Sequence, residues 1–551
     1  MSNWRKQILE KFIPNLSNLY IVADPDNLLV DEGILQSIGE KGFNIITFQD
    51  PIAFRYIYET KYRSKWDTIN EESNLLIVRH ELDNLKELPY DLLNKGLQLS
   101  FTLIDLFPEF SYPVIKELDP SSLDILYKAQ NEINPRNLGV NKTKDFILRH
   151  VFEIVPELIK QKSDLLRMLL RLHYKDMYIP DILNHHLIKY LKDSGKFKDW
   201  PLKQIISDKE SFLSFVQERW PLFLDSLINS SEDDKIYEAK VDYKFRYEGP
   251  RYLPLGHEDV RVYIDNYFLD GLLEPIDYEK KNKLSDKWFK VGINYDPFND
   301  KLRRFDGLMK LARQNLPSIN TRHQSWLLFS YRWAELILLW NELKDDLPLD
   351  YSNRFLDLQK AIDNLFLEWV KKRYSGLFNQ PPIPPVMVHQ VLRSLTRKIE
   401  ENNYYNKIAL IVIDGLSLDQ WLVIKSILYK QDGSLSFKEN AVFAWLPTLT
   451  SISRQSLFGG KLPFYFSDSI YYTNKDERHW TQFWSDQGVN KKNIAYLNVL
   501  GEDVVKEVNN VLIEKSINVL GIVIRKVDKI MHGMQLGTAG MHNQIKQWTQ
   551  Q

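Results

Sequence analysis

The chain of 551 residues contains no cysteine. Disulfide bonds, thiolate metal ligands and cysteine nucleophiles are therefore excluded. No apolar run reaches the roughly 18 residues that a membrane-spanning helix requires. The first residues, Met1 to Gln7, lack the apolar core of a secretory signal. These absences lead us to expect a cytoplasmic protein without a membrane segment.

An excess of charge of either sign is absent as well. The chain has 72 lysine and arginine residues against 73 aspartate and glutamate residues, which gives a formal net charge of −1. No global field therefore attracts nucleic acid, and DNA binding would require a local basic patch. The length is too great for one hydrophobic core, so we expect roughly two to four domains.

Short apolar runs alternate with helical periodicity in residues 1–114. Strands are predicted at 18–24, 43–48, 74–78 and 100–103, with helices at about 31–41 and 51–62. This alternation predicts a small parallel α/β domain. We expect this domain to serve in docking rather than in catalysis.

Asp24 and Asp26 follow the first predicted strand. Two carboxylates at a strand end could bind a metal ion. The intervening Pro25 is also typical of an Asx turn, and the absence of a glycine-rich phosphate loop nearby favours the turn.

Residues 115–379 are predicted to be mostly helical, because apolar residues recur at helical spacing, as in 145–155 and 164–173. An irregular insert is predicted at 238–298, where tyrosine, glycine and proline cluster. Over 243–256, aromatic residues alternate with lysine and arginine. That pattern would suit base stacking, but a packed loop is the favoured interpretation.

His185 and His186 are adjacent, so their rings point in different directions and a joint metal site is not expected.

Four prolines within residues 380–386 predict a stiff, extended tether. We interpret it as a domain boundary; an SH3-like ligand is the alternative. Residues 387–551 would then form the last domain, which opens with a helix at about 387–402.

An unbroken apolar run from Lys407 ends at Asp414 and Gly415. A run this short and rich in isoleucine predicts a strand that is buried on both faces of a parallel sheet. The Asp414 carboxylate would then lie at the carboxyl edge of the sheet, where open α/β sheets place their ligands.

Thr450 is predicted to cap a short helix that Gly459 or Gly460 ends. A hydroxyl at a helix N-terminus faces free N–H groups and the positive end of the helix dipole, where a phosphate binds well. A further buried strand is predicted at 517–524, followed by Asp528 and His532. One acid, one hydroxyl and an acid–histidine pair are a ligand set suited to a metal-dependent hydrolase.

The order Asp414-Gly415, Pro447-Thr448-Leu449-Thr450 and Asp528 followed by His532 resembles the alkaline-phosphatase superfamily, in its nucleotide pyrophosphatase/phosphodiesterase branch. The sequences around these residues are more specifically similar to a PglZ domain. The segments 22–29 and 143–150 resemble PglZ proteins of type 3 BREX phage-defence systems. The expected fold class is therefore α/β, with a small parallel α/β domain, a largely helical middle region and an alkaline-phosphatase-like domain that is truncated at its C-terminus.

The resemblance implies a phosphatase or phosphodiesterase with two divalent metal ions, zinc or alternatively manganese or magnesium. Asp414 and Thr450 would bind one ion, Asp528 and His532 the other, and Thr450 would be the nucleophile. The backbone N–H groups of Ser451 and Ser453, together with Arg454, would hold phosphate oxygens. An exposed arginine on the helix surface is the alternative for Arg454.

The sequence departs from the superfamily pattern after His532. That pattern continues with an Asp-His pair and a further histidine, whereas no Asp-His dipeptide occurs in this sequence. Gln551 follows His532 by nineteen residues. We therefore expect an incomplete site or a piece of a longer protein, with weak metal retention. For His542, helix packing or solvent exposure is expected rather than metal binding.

Two functions follow from the resemblance. The first is hydrolysis of a nucleotide or nucleic-acid phosphoester within a phage-defence complex. The second is a non-catalytic scaffold that binds a DNA methyltransferase and other BREX components. Direct DNA binding is a third option, which the net charge does not support.

Overall fold

The computed structural model describes residues 4–48, 51–66, 75–229, 245–279, 288–380, 384–401, 407–431, 435, 437–499, 504–514, 516–532 and 537–550. The chain divides into two compact units, Met1–Gly307 and Leu308–Gln551. In the described residues each unit has a parallel β-sheet with helices packed on it. The predicted α/β class is confirmed. The tether at 380–386 stays a prediction, because residues 381–383 lie outside this range.

The first unit contains a four-stranded parallel sheet. Its strands are β1 (Leu19–Ala23), β2 (Phe43–Thr47), β3 (Leu75–His80) and β4 (Leu97–Ser100). The strand order is β2-β3-β1-β4, and Tyr20 is aligned with Ile77 on one side and with Leu97 on the other. Every residue of β1 and β3 is buried, as expected for central strands of a parallel sheet.

The first three predicted strands are confirmed, but the fourth was placed about three residues too late. The reason is a helix that begins directly after it. The Thr102 hydroxyl accepts a hydrogen bond from the Asp105 N–H, and the Asp105 carboxylate accepts one from the Thr102 N–H. This capping box commits residues 102–105 to a helix start and leaves the strand at Leu97–Ser100.

The helices of the first unit are α1 (Trp4–Leu9), α2 (Glu32–Glu40), α3 (Pro51–Ile57), α4 (Ser64–Trp66), α5 (Tyr90–Lys95), α6 (Leu103–Leu106), α7 (Tyr112–Ile115), α8 (Pro120–Ile133), α9 (Val140–His150), α10 (Lys162–Tyr174), α11 (Asp181–Asp193), α12 (Leu202–Ser207), α13 (Lys209–Gln217), α14 (Trp220–Asn229) and α15 (Glu258–Leu269). A π-helix, Tyr58–Arg63, connects α3 with α4. The two faces of the sheet contribute to two different hydrophobic clusters. Tyr20 and Val22 belong to a large cluster that extends to Ile293, whereas Leu19 and Ile21 belong to a smaller one.

Helix α15 lies inside the insert that was predicted to be irregular, so the prediction is wrong for these residues. Val260, Ile264, Tyr267 and Phe268 recur at helical spacing and are buried. The tyrosine, glycine and proline residues on either side favoured an irregular structure, so this helical spacing was overlooked. Residues 238–244 and 280–287 of the insert lie outside the described residues.

The second unit contains a parallel sheet of three strands in its described part, β5 (Ile408–Ile413), β6 (Ile494–Val499) and β7 (Val519–Ile524). The strand order is β5-β7-β6. Ile413, Ile524 and Val499 are aligned at the carboxyl ends of the three strands. Residues that follow these strands therefore share one edge of the sheet.

The remaining helices are α16 (Pro297–Gln314), within which the boundary between the units falls, α17 (His323–Leu343), α18 (Leu349–Leu377), α19 (Val391–Glu401), α20 (Leu418–Gln431), α21 (Thr450–Gly459), α22 (Asp476–Asp486), α23 (Val504–Leu512), α24 (Lys526–His532) and α25 (Gly537–Gln550). Trp480 and Trp484 of α22 pack with Val519 and Val523 of β7 on one face of the sheet. Leu520 and the neighbouring alternate residues of β7 pack on the other face.

The prediction that β5 is buried on both faces is wrong. Its side chains alternate between partial burial and exposure, and Ile411 is 55% exposed. The reason is its position, because β5 pairs with β7 and forms an edge of the sheet over the described residues. Strand β7, in the middle, is buried throughout.

Candidate active site

Asp414 lies directly after β5, at the carboxyl edge of the second sheet. Its backbone N–H donates to the Ile524 carbonyl at 2.9 Å, which extends the pairing of β5 with β7 by one residue. Gly415 follows with a φ of +75°, in the left-handed region that favours glycine. A Cβ atom on Gly415 would lie 3.2 Å from the Asp528 Cα. The glycine therefore lets the Asp414 segment approach Asp528 closely.

Asp528 lies in the first turn of α24, just after β7. His532 is one helical turn further along, and its Nε2 lies 3.4 Å from Asp528 Oδ1. The His532 side chain is 75% exposed and that of Asp528 is 35% exposed. Both side chains are therefore accessible to a ligand, and their i, i+4 spacing places them on one face of the helix.

Thr450 is the first residue of α21 rather than its cap. Leu449 holds the capping position with extended backbone angles, and its apolar side chain accepts no hydrogen bond. The prediction of Thr450 as N-cap is wrong for this reason, whereas the helix ends at Gly459 and Gly460 as predicted. The Thr450 side chain is exposed, and its hydroxyl makes no hydrogen bond to a described residue.

The first N–H groups of α21 differ in their partners. The Ser453 N–H donates to the Leu449 carbonyl at 2.9 Å. The N–H groups of Thr450 and Ser451 have no backbone acceptor in the described part of the chain. They are the unsatisfied donors that a helix N-terminus offers to an anion.

Arg454, one turn beyond Thr450, connects α21 with the sheet edge. Its Nη1 donates to Asp414 Oδ2 at 3.1 Å, and its Nε donates to Asp476 Oδ2 at 2.8 Å. Its Nη2 also donates to Asp476 and, at 3.3 Å, to the Thr473 carbonyl. Arg454 is only 5% exposed, so the alternative of an exposed surface arginine is wrong.

Asp476, the first residue of α22, was missed in the sequence. It is 1% exposed, and its Oδ2 also accepts a hydrogen bond from the Tyr496 hydroxyl at 3.3 Å. Burial raises the pKa of Asp476, and the charge of Arg454 opposes that rise. Burial alone would lower the pKa of Arg454, but the charge and hydrogen bonds of Asp476 outweigh it and the pKa is raised. An acid at a helix start is common, so the sequence gives no sign of this burial.

The residue types at this edge are ones that bind divalent cations. Asp414, Asp528 and His532 offer carboxylate oxygens and an imidazole, which zinc, manganese or magnesium accept. The second oxygen of Asp414, Oδ1, makes no hydrogen bond within the described residues. Among the residues that the structure describes, no three histidine or acidic side chains lie close enough together to hold a metal ion. The described residues at this edge thus offer one carboxylate at Asp414 and an acid–histidine pair at Asp528 and His532.

Thr450 makes no hydrogen bond with Asp414 or Asp528 among the described residues. The structure brings Asp414, Asp528 and His532 to one edge and connects the Thr450 helix to that edge through Arg454. The roles assigned to these residues remain predictions.

Asp24 and Asp26 are held by protein donors. Asp24 accepts hydrogen bonds from the N–H groups of Leu28 and Leu29 and from Arg79 Nε at 2.6 Å. Asp26 accepts hydrogen bonds from the Tyr112 hydroxyl and from the backbone N–H of Leu103, the first residue of α6. This arrangement agrees with the turn interpretation.

The remaining histidines that the sequence singled out make local contacts. His186 lies 2.7 Å from Asp145, whereas the neighbouring His185 is exposed, so no joint site forms. His542 of α25 is 9% exposed, and its Nε2 lies 2.8 Å from Asp419 Oδ2. His542 thus packs α25 against α20, as expected.

In the insert, the Tyr247 hydroxyl donates to Ser211 at 3.0 Å, which agrees with a packed loop.

A parallel sheet with an acid at its carboxyl edge, a hydroxyl at a helix start and an acid–histidine pair defines an alkaline-phosphatase-like α/β domain. The family model of the PglZ domain, described as the BREX system PglZ alkaline phosphatase-like domain, matches residues 391–550. The chain therefore carries a PglZ domain at its C-terminus, which indicates a PglZ component of a BREX system. No curated protein matches the chain. No helix in the described residues is long and apolar enough to cross a membrane.

Proposed function

We propose that this PglZ component hydrolyses a phosphoester and that Thr450 is its nucleophile. The observation that carries the proposal is the convergence of Asp414, Asp528 and His532 at one sheet edge, with the Thr450 helix joined to that edge through Arg454. The hydroxyl of Thr450 is exposed at the start of that helix and has no hydrogen-bond partner among the described residues, which supports the same role.

In the proposed reaction, Thr450 Oγ1 loses its proton and forms a bond to phosphorus, the bond from phosphorus to the ester oxygen breaks, and the leaving alcohol takes up that proton. Water then cleaves the covalent threonine adduct and releases the phosphate product. The N–H groups of Thr450 and Ser451 face the negative charge that develops on the phosphoryl oxygens. Asp414 with Thr450, and Asp528 with His532, would hold two divalent ions, which when bound supply positive charge and lower the pKa of the attacking oxygens.

Arg454 acts in this proposal as a positioning residue. Asp476 holds the guanidinium from one side, and the guanidinium holds Asp414 from the other. The Asp414 carboxylate is thereby fixed by one oxygen, Oδ2, while Oδ1 remains available for a ligand. The sequence suggested direct phosphate contact for Arg454, and that role stays a second possibility for its Nη1.

The test is hydrolysis of a chromogenic phosphodiester by the full chain with Zn²⁺ or Mn²⁺, compared for the wild type, Thr450→Ala and Thr450→Ser. We expect a loss of at least about 10³-fold in Thr450→Ala and partial activity in Thr450→Ser, since nucleophile removal has effects of this size. Equal rates for the wild type and Thr450→Ala would exclude the proposed nucleophile.

A second candidate function is a scaffold that binds a DNA methyltransferase or other BREX proteins without catalysis. The ion pair between Arg454 and Asp414 favours it, because the guanidinium already neutralises a predicted metal ligand. Copurification of these partners with the wild type and with Thr450→Ala tests it. The scaffold function predicts equal recovery and no hydrolysis by either protein.

A further inference from the structure

Arg525 follows β7 directly and lies at the carboxyl edge of the second sheet. Its backbone N–H donates to the Val499 carbonyl at 3.1 Å, which extends the pairing of β7 with β6 by one residue. Asp414 extends the pairing of β5 with β7 in the same way, through the Ile524 carbonyl at 2.9 Å. Arg525 and Asp414 therefore lie side by side on neighbouring strands, which are about 5 Å apart in a sheet.

The alternation of side chains along the strands gives the direction of the Arg525 side chain. Val523 packs with α22 on one face of the sheet, and Ile524 packs on the other face. Arg525 is therefore directed to the face of Val523. Asp414 is directed to the same face, because it contacts Arg454 and α21 contributes to the hydrophobic cluster there.

The Arg525 guanidinium is partly buried and has no partner among the residues that the structure describes. Its Nε is shielded from solvent and has no hydrogen-bond acceptor there. The side chain forms no ion pair with Asp414 on the neighbouring strand, whose carboxylate is bound by Arg454 instead. A buried N–H without an acceptor is rare in folded proteins, and a bound ion is one of the features that explain it.

Arg454 differs from Arg525 in this respect. Its guanidinium is divided among Asp476, Asp414 and the Thr473 carbonyl, and it is almost fully buried. Those contacts leave Arg454 little capacity for a further anion. Arg525 is only half-buried, so a ligand can reach its outer nitrogens. Of the two arginines at this edge, Arg525 is the one that keeps its planar set of donors for an outside acceptor.

The geometry of the guanidinium indicates the kind of acceptor. Its parallel N–H groups match two oxygens of a phosphate or of a carboxylate. The proposed reaction places a phosphoester at Thr450, which lies one helical turn from Arg454 and thereby beside Asp414. Because Arg525 is next to Asp414 on the same face, the phosphate of that ester is the anion within its reach.

We propose that Arg525 binds the phosphate of the substrate through two non-bridging oxygens. The inference rests on the proposed function and deepens it, because it adds the residue that holds phosphorus in front of Thr450. Arginine stays protonated in proteins, so Arg525 donates hydrogen bonds and moves no proton. When Thr450 Oγ1 attacks phosphorus and the ester oxygen leaves, the charge on the non-bridging oxygens faces this fixed cation.

Phosphate monoesters and diesters share the chemistry that Arg525 recognises. A monoester has three non-bridging oxygens and most of a second negative charge at neutral pH, whereas a diester has two such oxygens and one charge. Both present the pair of oxygens that a guanidinium binds. The experiment therefore uses one substrate of each kind.

The first test measures the binding of inorganic phosphate to the full chain in EDTA, where no bound metal ion contributes, by phosphorus NMR titration. The wild type is compared with Arg525→Gln and Arg525→Lys. The matched control is Lys492→Gln, because Lys492 is an exposed cation directly before β6, at the opposite edge of the same sheet.

We expect Arg525→Gln to bind phosphate roughly 10- to 150-fold more weakly, the range for the loss of a hydrogen bond to a charged group. Arg525→Lys should have an intermediate affinity, since it keeps the charge and loses the paired donors. Lys492→Gln should bind like the wild type. Equal affinities of the wild type and Arg525→Gln, or displacement of phosphate by an equal concentration of acetate, would overturn the assignment.

Thermal unfolding separates a ligand-binding role from a structural role. Arg525→Gln removes no side-chain contact with a described residue, so its unfolding midpoint should equal or exceed that of the wild type. A lower midpoint together with an unchanged phosphate affinity would assign Arg525 to the stability of the fold and would overturn the proposal.

The second test is hydrolysis of p-nitrophenyl phosphate and of bis(p-nitrophenyl) phosphate with Zn²⁺ or Mn²⁺. Arg525→Gln should lower kcat/KM by the same roughly 10- to 150-fold, and the ester with the larger loss identifies the class of phosphate that Arg525 holds. Lys492→Gln should leave both values unchanged. Equal kcat/KM of the wild type and Arg525→Gln on both esters would contradict the proposal.

Failure of the Arg525 assignment is separable from failure of the proposed function. Phosphate binding that depends on Arg525, with equal hydrolysis by the wild type and Thr450→Ala, removes only the nucleophile. Hydrolysis that depends on Thr450, with phosphate binding that is independent of Arg525, removes only the role of Arg525.

Discussion

Arg454 and Asp414 form an ion pair at the carboxyl edge of the second sheet, with Nη1 and Oδ2 separated by 3.1 Å. The two side chains are 6% and 15% exposed, so water screens this pair less than a surface pair. Asp414 is also a predicted metal ligand. In the proposed metal site, the fixed guanidinium of Arg454 would therefore compete with the metal ion for the Asp414 carboxylate.

Removal of this cation should strengthen metal binding. We expect Arg454→Gln/Asp476→Asn to bind Zn²⁺ or Mn²⁺ at least about tenfold more tightly than the wild type. A tenfold gain corresponds to the removal of about 1.4 kcal/mol of repulsion between the guanidinium and the metal ion. That is a modest value for two cations near one carboxylate. The second substitution avoids a buried, unpaired Asp476. Competition with a fluorescent chelator measures the affinity.

The matched control is Arg136→Gln, because Arg136 is an exposed arginine of the first unit and lies far from Arg454 in the sequence. This substitution should leave metal affinity unchanged. An unchanged affinity in the double variant as well would show that Arg454 does not compete for the Asp414 carboxylate.

Loss of Asp476 alone should destabilise the second unit. Asp476→Ala leaves the Arg454 guanidinium without its main partner in a site where both side chains are almost fully buried. Such a loss costs about 3–5 kcal/mol. Urea unfolding followed by tryptophan fluorescence measures it.

Asp486→Ala, at the exposed end of the same helix, should change the unfolding free energy by less than about 0.5 kcal/mol. Similar unfolding free energies for both variants would mean that the Asp476–Arg454 pair does not stabilise the fold.

A side chain at Gly415 should destabilise the chain. Gly415→Ala forces an L residue to a φ of +75° and places its Cβ 3.2 Å from the Asp528 Cα. The backbone conformation alone costs about 1–2 kcal/mol, and the steric contact separates Asp414 from Asp528. Thermal unfolding and metal affinity should therefore both decrease.

Gly39→Ala is the control, since Gly39 lies within α2 and a Cβ there meets nothing within 4 Å. It should stabilise the chain by about 0.5–1 kcal/mol through its higher helix propensity. Equal stability of the two glycine variants would contradict the close approach of Gly415 to Asp528.

The Asp419–His542 contact should make stability depend on acidic pH. Burial opposes the change, but the His542 hydrogen bond and charge leave the pKa of Asp419 lowered in the folded chain. The contribution of Asp419 is therefore present above its unfolded pKa of about 3.9 and is lost as pH falls through the lower folded pKa. The difference in unfolding midpoint between the wild type and Asp419→Asn should shrink between about pH 5 and pH 3. A constant difference across this window would show that the pair does not titrate as expected.

The sequence predicted the features that depend on neighbouring residues along the chain. A short apolar run followed by an acid located Asp414 at a sheet edge, and the i, i+4 spacing placed Asp528 and His532 on one helix face. Features that depend on residues far apart were missed. Neither the burial of Asp476 nor the exposure of Ile411 can be inferred from local composition, because both depend on which elements pack together.

Residue types also left the helix start at Thr450 ambiguous. A threonine before a helix is typical of an N-cap, but the extended backbone of Leu449 moves the start by one residue. This shift leaves the Thr450 hydroxyl free of a capping role, which is compatible with the proposed role as nucleophile.

The most direct measurement traps the covalent adduct. The full chain is incubated with Zn²⁺ or Mn²⁺ and a chromogenic phosphodiester, quenched in acid and mapped by mass spectrometry. We predict a phosphoryl adduct on the peptide that contains Thr450, and no adduct on that peptide in Thr450→Ala. Hydrolysis at an equal rate by both proteins, with no adduct on Thr450, would contradict the proposed function.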